Sequence, residues 1–448
     1  MHLATTDALF AWDKLPDSPS LLGLKFLLGL LPDAPLLGAL HRHRGHGRND
    51  YPMAVLWRVH VTRYLLRHVT TEACLAELER NPALRKVVGM AADQAVPEPW
   101  NMSRFQEVLG QPEHLEILQQ MFQELTRRLG RAVADLGQRL AGDSAALSAR
   151  GDADPAGTPL PQPDGARKEY RDDTGKVVKV YAWFGYKFHL LVDVKHEVVL
   201  AYQVTAATTN DAEMLPVLLA KAQKVLPEGR IASLAYDKAA DDEKTHALLH
   251  GAHIKPVIQN RALWKEEPER KLPGHGAESN VVHDEGGTLY CYDQTAAAPV
   301  KHKMGFMGYE KSRGTLKYRC PARHEGWTCP SDKRCNKDSK YGKTVRVRCA
   351  LDLRRFPPLP RATAEFERRY KGRTAVERVN ARLKLFWGTD DGNVTGAARF
   401  HAHLATILLV HGAMANYLAL SPRYEGQSLS PTRLSRVARQ LHRAAATG

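Results

Sequence analysis

The order of apolar runs between residues 176 and 260 constrains this chain more than any other feature. KVVKVYAWF, GYKFHLLVD and EVVLAYQVT are rich in β-branched and aromatic residues and read as three strands, with residues 193–197 as the hairpin turn between the last two. Asn210 or Asp211 caps a helix, AEMLPVLLAKAQKVL, that ends before Pro227 and Gly229. RIASLAYD (230–237) then reads as a buried strand, DEKTHALLHG as a helix and IKPVIQN as a short strand. Strands, helix, strand, helix, strand is an α/β order.

The flanks carry different patterns. Residues 1 to about 130 read as helical. A basic loop, HRHRGHGRND (41–50), precedes a helical stretch at 51–68, and Thr70 or Thr71 caps TEACLAELER, which Asn81-Pro82 closes. A short helix at 83–88 and another opened by Asn101 or Ser103 form either a helix-turn-helix or plain helical packing. A long helix runs from Pro112 to about Leu129. LGQRLAGDSAALSA then places Asp143 on a strand of small and apolar residues, and 150–167 is a loop rich in Pro, Gly and Asp. From 261 to about 360 the chain is polar and basic, an insertion of about a hundred residues that interrupts the α/β order. Helix returns at Ala362, and an apolar helix spans 400–420. In the tail from Ser430, Leu434, Val437 and Leu441 share a face among arginines.

The chain of 448 residues holds two or three domains, and its formal net charge of +15 favours a polyanionic partner such as nucleic acid. The N-terminus has early acids and no signal pattern, and the apolar run 21–31 contains Lys25 and stops at Pro32, so a cytoplasmic protein is expected.

Two strands and a helix offer carboxylates that can converge. Asp237 ends a buried strand, a usual place for chemistry in an α/β domain, although it can equally cap the following helix. Asp143 is the second candidate. The third, Glu377, lies on YKGRTAVERVNARLK (370–384). As one continuous helix, this stretch puts Tyr370, Arg373, Glu377 and Lys384 within about 60° of one another and Val376, Val379, Leu383 and Phe386 on the opposite side. Three carboxylates of this kind can bind divalent cations and support phosphoryl transfer.

Tyr370, Arg373, Glu377 and Lys384, with two, three and six residues between them, match the Tyr-Arg-Glu-Lys signature of DDE-type bacterial insertion-sequence transposases. LAYDKAADD resembles the second-Asp motif of that family, GDSAALSA the first, and VPEPWNMSRFQEVL the end of its preceding helical domain. The resemblance implies an α/β architecture with a ribonuclease-H-like catalytic domain (131–260 and 361–420). A β-rich insertion (261–360) would divide it, an all-α N-terminal domain (1–130) suited to DNA binding would precede it, and a basic tail (421–448) would follow. It implies Asp143, Asp237 and Glu377 as catalytic ligands of Mg2+, with Mn2+ as a substitute, and Tyr370, Arg373 and Lys384 as phosphate contacts. It implies double-stranded DNA with terminal inverted repeats, target DNA and a homo-oligomer, in the simplest case a dimer. The alternatives are a nuclease without strand transfer and an inactive DNA-binding descendant. Asp193 rivals Asp143, but it falls at a hairpin tip where solvent-facing acids are ordinary.

Four of the six cysteines, Cys320, Cys329, Cys335 and Cys349, lie in the insertion and suggest structural zinc or, otherwise, scattered free thiols. Cys74 reads as core. Trp264 is a candidate for stacking on a base. HRHRGHGR, EPERKLPGHG and RRFPPLPR are candidate phosphate contacts.

Overall fold

The computed structural model describes residues 19–430 apart from 47–49, 92, 152, 154–158, 173–174, 266–267, 276–278, 294–297, 338, 391–393 and 422–423. The arginine-rich tail face of Leu434, Val437 and Leu441 lies outside the described residues, as do parts of two basic runs.

Helices come first: α1 (Pro19–Leu30), α2 (Ala34–Arg44), α3 (Met53–Leu65), α4 (Thr71–Arg80), α5 (Pro82–Val88), α6 (Pro99–Leu109) and α7 (Pro112–Ala132). Thr70 caps α4 through a bond from the Ala73 N–H, and Asn81 caps α5. The start of α6 differs from the expected Asn101 or Ser103. Glu98 is its N-cap, and Asn101 returns a bond to the Glu98 N–H, because Pro99 suits the first helical position.

One mixed sheet follows, built from β1 (Arg139–Ser148), β2 (Asp164–Arg171), β3 (Val177–Asp193), β4 (Val199–Ala206), β5 (Ser233–Tyr236) and β6 (Lys255–Ile258). β1, β3 and β4 are antiparallel neighbours, whereas β5 joins β1 in parallel and β6 joins β5 in parallel. The helices α8 (Asp211–Val225) and α9 (Glu243–Gly251) make the parallel crossovers. Two of the expected strands are one: β3 runs seventeen residues through Gly185. A side chain there would put its Cβ 2.1 Å from the Leu147 carbonyl oxygen, so the glycine permits the close pairing with β1. The first half of β3 pairs instead with β2, which occupies part of the expected loop, and forms a ribbon with Val178, Val180, Tyr181 and Phe184 exposed.

Between β6 and the next long helices stand two small sheets. One holds β7 (Glu269–Lys271), β8 (Val281–Asp284), β9 (Leu289–Asp293) and β10 (Val300–Lys303). The other holds β11 (Gly305–Glu310), β12 (Thr315–Arg319) and β13 (Thr344–Arg348), with the short helices α10 (Pro321–Glu325) and α11 (Asp332–Asn336) between the last two. Leu272, Val281, Leu289, Leu316, Val345 and Phe356 help form a core of their own. The chain then returns through α12 (Ala364–Lys371), α13 (Thr374–Trp387) and α14 (Ala397–Leu420).

The helix expected across 370–384 is broken at Gly372. A Cβ there would stand 2.9 Å from both Val194 Cγ1 and the Arg369 carbonyl oxygen, so contact with the hairpin interrupts the axis. Val376, Val379 and Leu383 are buried as expected, but Phe386 is partly exposed beneath the Arg67 guanidinium. Glu197, in the β3–β4 turn, holds α13 over the sheet through Arg378 at 2.6 Å and Arg382. The apolar α14 is almost entirely buried and packs against α6, α7 and β4, and His411 Nε2 accepts the Val199 N–H at 3.2 Å.

A buried ion network ties the small sheets to the large one. Asp241 is fully buried and meets Arg354 at 2.9 Å and Arg361 at 2.6 Å. Its Oδ1 also lies 2.9 Å from His246 Nε2, and its Oδ2 accepts the Arg261 N–H. Burial alone would raise the Asp241 pKa, but the His246 bond, the two arginines and the Arg261 N–H hold it below the ordinary 3.8. A carboxyl with a depressed pKa stabilises the fold above its unfolded value and loses that contribution as pH falls through the folded one. Asp241→Asn is therefore expected to lower unfolding free energy by about 3 kcal/mol at neutral pH, because Arg361 loses its counter-charge and Arg354 keeps only Glu285 at 3.3 Å. The deficit should close as pH falls below 3.8. Denaturant titrations across pH test this, and an unchanged midpoint at pH 7 would refute it.

Candidate active site

Gly142 decides where the first carboxylate lies. β1 and β5 pair with Leu140 opposite Leu234 and Ala141 opposite Ala235. Continuing that register sets Gly142 beside Tyr236 and Asp143 beside Asp237. A Cβ at residue 142 would stand 2.3 Å from Tyr236 Cε2, so the absence of a side chain admits the tyrosine ring. The Tyr236 hydroxyl is buried and has no hydrogen-bond partner among the described residues. Burial, joined by the charges of Asp211, Asp143 and Asp237, pushes its pKa up.

Asp143 Oδ1 accepts the Ser144 N–H at 2.9 Å, and Oδ2 lies 3.7 Å from the Arg373 guanidinium. Burial raises its pKa, the like charges of Asp211 and Asp237 add to the rise, and the Ser144 N–H and Arg373 oppose it. Asp237 Oδ1 accepts the Lys238 N–H at 2.6 Å. It caps only the short turn Lys238–Ala240, since Asp242 caps α9 through the Thr245 N–H at 2.8 Å. Asp237 is thus left at the strand end with oxygen to spare.

Glu377 sits in the first turn of α13, half exposed, with its Oε1 2.6 Å from Arg373. Arg373 therefore stands between Asp143 and Glu377. Burial disfavours its charge, but Glu377, Tyr370, Asp143 and Asp237 outweigh that and raise its pKa. Lys384 points to the outer end of β1, donating to the Ala146 carbonyl and to Asp390 Oδ2 at 3.2 Å. Tyr370 belongs to α12, not to the helix of Glu377. It stacks on Phe366 and lines an open groove of about 810 Å³ with Trp264, Glu285 and Arg361.

Asp193 is not solvent-facing. It is 1% exposed, and its carboxylate accepts the Gly137 N–H at 2.8 Å and the His196 N–H at 2.6 Å. It stands opposite Leu140, whereas Asp143 stands opposite Leu190, about 10 Å further along the strands. A role in tying the turn explains it fully. Asp172 likewise closes a turn through the Lys176 N–H.

Asp211 was legible only as a helix-start acid, ordinary beside the N-terminal dipole. Asn210 provides the cap, and Asp211 Oδ1 faces Lys187 Nζ and His189 Nδ1, each at 3.4 Å. Burial, opposed by Asp211, lowers the His189 pKa to about 4. Asp211 is thus a fourth carboxylate within charge reach of Asp143, and only the tertiary approach of α8 to β1 reveals it.

Two other expectations change. In RRFPPLPR, Arg354 and Arg361 are buried on Asp241, and Arg355 pairs with Asp352. Trp264 has a guanidinium over its ring from Arg270 at 4.1 Å and another from Arg355 at 4.9 Å, so cations already cover the ring that a base would need. The expected cysteine quartet also divides. Cys349 is 1% exposed in the core of the small sheets, and burial raises its thiol pKa to about 12. Cys320, Cys329 and Cys335 line a small cavity, and its fourth thiol is Cys291. Among the described residues, no three His, Cys, Asp or Glu side chains stand at metal-holding distances.

Comparison with known proteins fits this arrangement. The family described as Transposase DDE domain matches residues 151–412, which include Asp237 and Glu377 and begin after Asp143. A second family, Transposase domain (DUF772), matches residues 24–108. No curated protein matches the chain. Among solved structures, the piggyBac transposase synaptic complex with hairpin DNA is similar at 10% identity over 97% of this chain and 83% of that one. The TM-score of that pair is 0.37. With the DDE family spanning more than half of its length, the chain belongs to the DDE transposases of insertion sequences, enzymes that cleave DNA and transfer its strands.

Proposed function

We propose that Asp143, Asp237 and Glu377 are the catalytic carboxylates of this transposase and hold Mg2+, with Mn2+ as a substitute. One observation carries the reading: β1 and β5 bring Asp143 abreast of Asp237, and Arg373 links Asp143 to Glu377. The donor set fits a hard cation, being all carboxylate oxygen with Asp237 bonded only to a neighbouring N–H. Such cations polarise the phosphate and lower the pKa of an attacking water or 3′-hydroxyl. The strand order β4-β3-β1-β5-β6, three antiparallel and two parallel, supports a ribonuclease-H-like domain.

The remaining residues bind and orient. Arg373 leaves its carboxylates to grip a phosphate in bidentate fashion, and Lys384 leaves Asp390 to hold another as a point charge. Tyr370, at the mouth of the groove, positions the backbone beside them. Asp211 keeps His189 and Lys187 in place beneath Asp143. The helical region covered by the second transposase family would engage the inverted repeats at the element ends, within a homo-oligomer acting in the cytoplasm.

Labelled element ends, a target plasmid, purified protein and Mg2+ provide the test. Joined products mean strand transfer, whereas nicks alone would leave a nuclease and a gel shift alone a binding protein. Asp143→Asn, Asp237→Asn and Glu377→Gln should each reduce cleavage at least about 100-fold, with DNA binding retained. An active Asp143→Asn protein would overturn the assignment, and Asp193→Asn serves as the comparison. Lys384→Ala should weaken DNA binding for all sequences alike and reduce the salt slope by about 1. An unchanged slope would remove Lys384 from the phosphate contacts.

A further inference from the structure

The small sheets between β6 and α12 contain a pocket that the chemistry of DNA does not require. Their common core is modest; Cys291 packs against its edge, and Cys320, Cys329 and Cys335 are not part of it. These four thiols converge from three places. Cys291 is on β9, Cys320 directly follows β12, Cys329 precedes α11 and Cys335 lies within it. They line one cavity of about 20 Å³, close to the room needed for a single water-sized guest. Cys291 is within electrostatic reach of the other three, whereas Cys349 is turned into the core between β13 and Phe356.

The surroundings of the sulfurs are polar donors. Asn336 Nδ2 donates to Cys320 Sγ at 3.6 Å, and Asn280 Nδ2 donates to Cys335 Sγ at 3.8 Å. The Ser331 N–H bonds to Cys329, and the Ser331 hydroxyl is itself fixed on Asp293 Oδ1 at 2.7 Å. Lys343 Nζ holds Asn280 Oδ1 at 3.0 Å, which directs the amide donor toward Cys335. N–H groups aimed at sulfur are what orient and stabilise thiolate ligands of a metal.

We infer that Cys291, Cys320, Cys329 and Cys335 form a structural Zn2+ site that joins the two small sheets. Zinc takes four thiolates in tetrahedral array, with the displaced protons passing to solvent. The four sulfurs line one cavity but do not stand at metal-holding distances, so binding would draw β9, the end of β12 and α11 together. The same amides are anchored on oxygen, Asn280 Nδ2 on the Tyr292 carbonyl at 2.8 Å and Asn336 Nδ2 on Asp332 Oδ1 at 2.5 Å, so their second contacts to sulfur are held in place. His302, opposite Cys291 on β10, packs at a tilt against Trp327 with ring centroids 4.7 Å apart and walls the cavity rather than completing the ligand set.

The test uses the full chain purified without added zinc. Metal analysis should find about one zinc per chain, and the Co2+-substituted protein should show the intense absorption of tetrahedral thiolate coordination. Cys291→Ser should reduce zinc below about half an equivalent, whereas Cys349→Ala should retain it. Should Cys291→Ser fail to fold, Cys335→Ser and the Co2+ spectrum of the unaltered protein decide. Less than about half an equivalent in the unaltered protein, together with no thiolate band, would overturn the site. So would zinc lost from Cys349→Ala and kept by Cys291→Ser. None of these readouts depends on DNA cleavage, so failure here leaves the catalytic assignment untouched.

Discussion

The parallel pairing of β1 with β5 is the contact on which the rest depends. Two buried strands reach the same level only because residue 142 has no side chain, which gives the Tyr236 ring its place. Their ends then present Asp143 and Asp237 together, a juxtaposition that burial and like charge both oppose. The fold tolerates it by bringing in Arg373. α13, which carries Arg373's partner Glu377, is fastened to the β3–β4 turn by Glu197 and two arginines one helical turn apart. The sheet thus supplies rigid positions, and the helix supplies the counter-charge.

A different device keeps the long excursion between β6 and α12 from loosening the sheet. Its two ends meet at Asp241, where the backbone of Arg261 on entry and the guanidinium groups of Arg354 and Arg361 on return share one buried carboxylate. Arg361 also donates to the Ile258 carbonyl at the end of β6 at 2.9 Å. Closing a long loop costs little more entropy than closing a short one, so a single well-satisfied knot suffices.

Much of this was legible in the chain itself. Periodicity located the helices and most of the strands, and the strand-end position of Asp237 and the small residues around Asp143 marked both acids. What escaped was set by partners distant in sequence. The bend at Gly372 comes from Val194 on a hairpin, which no local propensity records. Asp193 is buried because the Gly137 N–H, 56 residues earlier, reaches it. Cys291 takes the place expected for Cys349 because the fold of the small sheets turns one thiol to the cavity and the other to the core. Arg354 and Arg361 escaped for the same reason: charge alone does not say whether an arginine faces solvent or a buried carboxylate.

The position of Arg373 has a thermodynamic consequence. One guanidinium balances two acids, so a cation arriving at Asp143 or Glu377 weakens its hold, and an anion that captures it leaves both acids short of positive charge. Cation and anion therefore favour each other's binding through a shared residue, and by linkage the benefit is equal in both directions. Neither ligand alone would find the site at its most receptive.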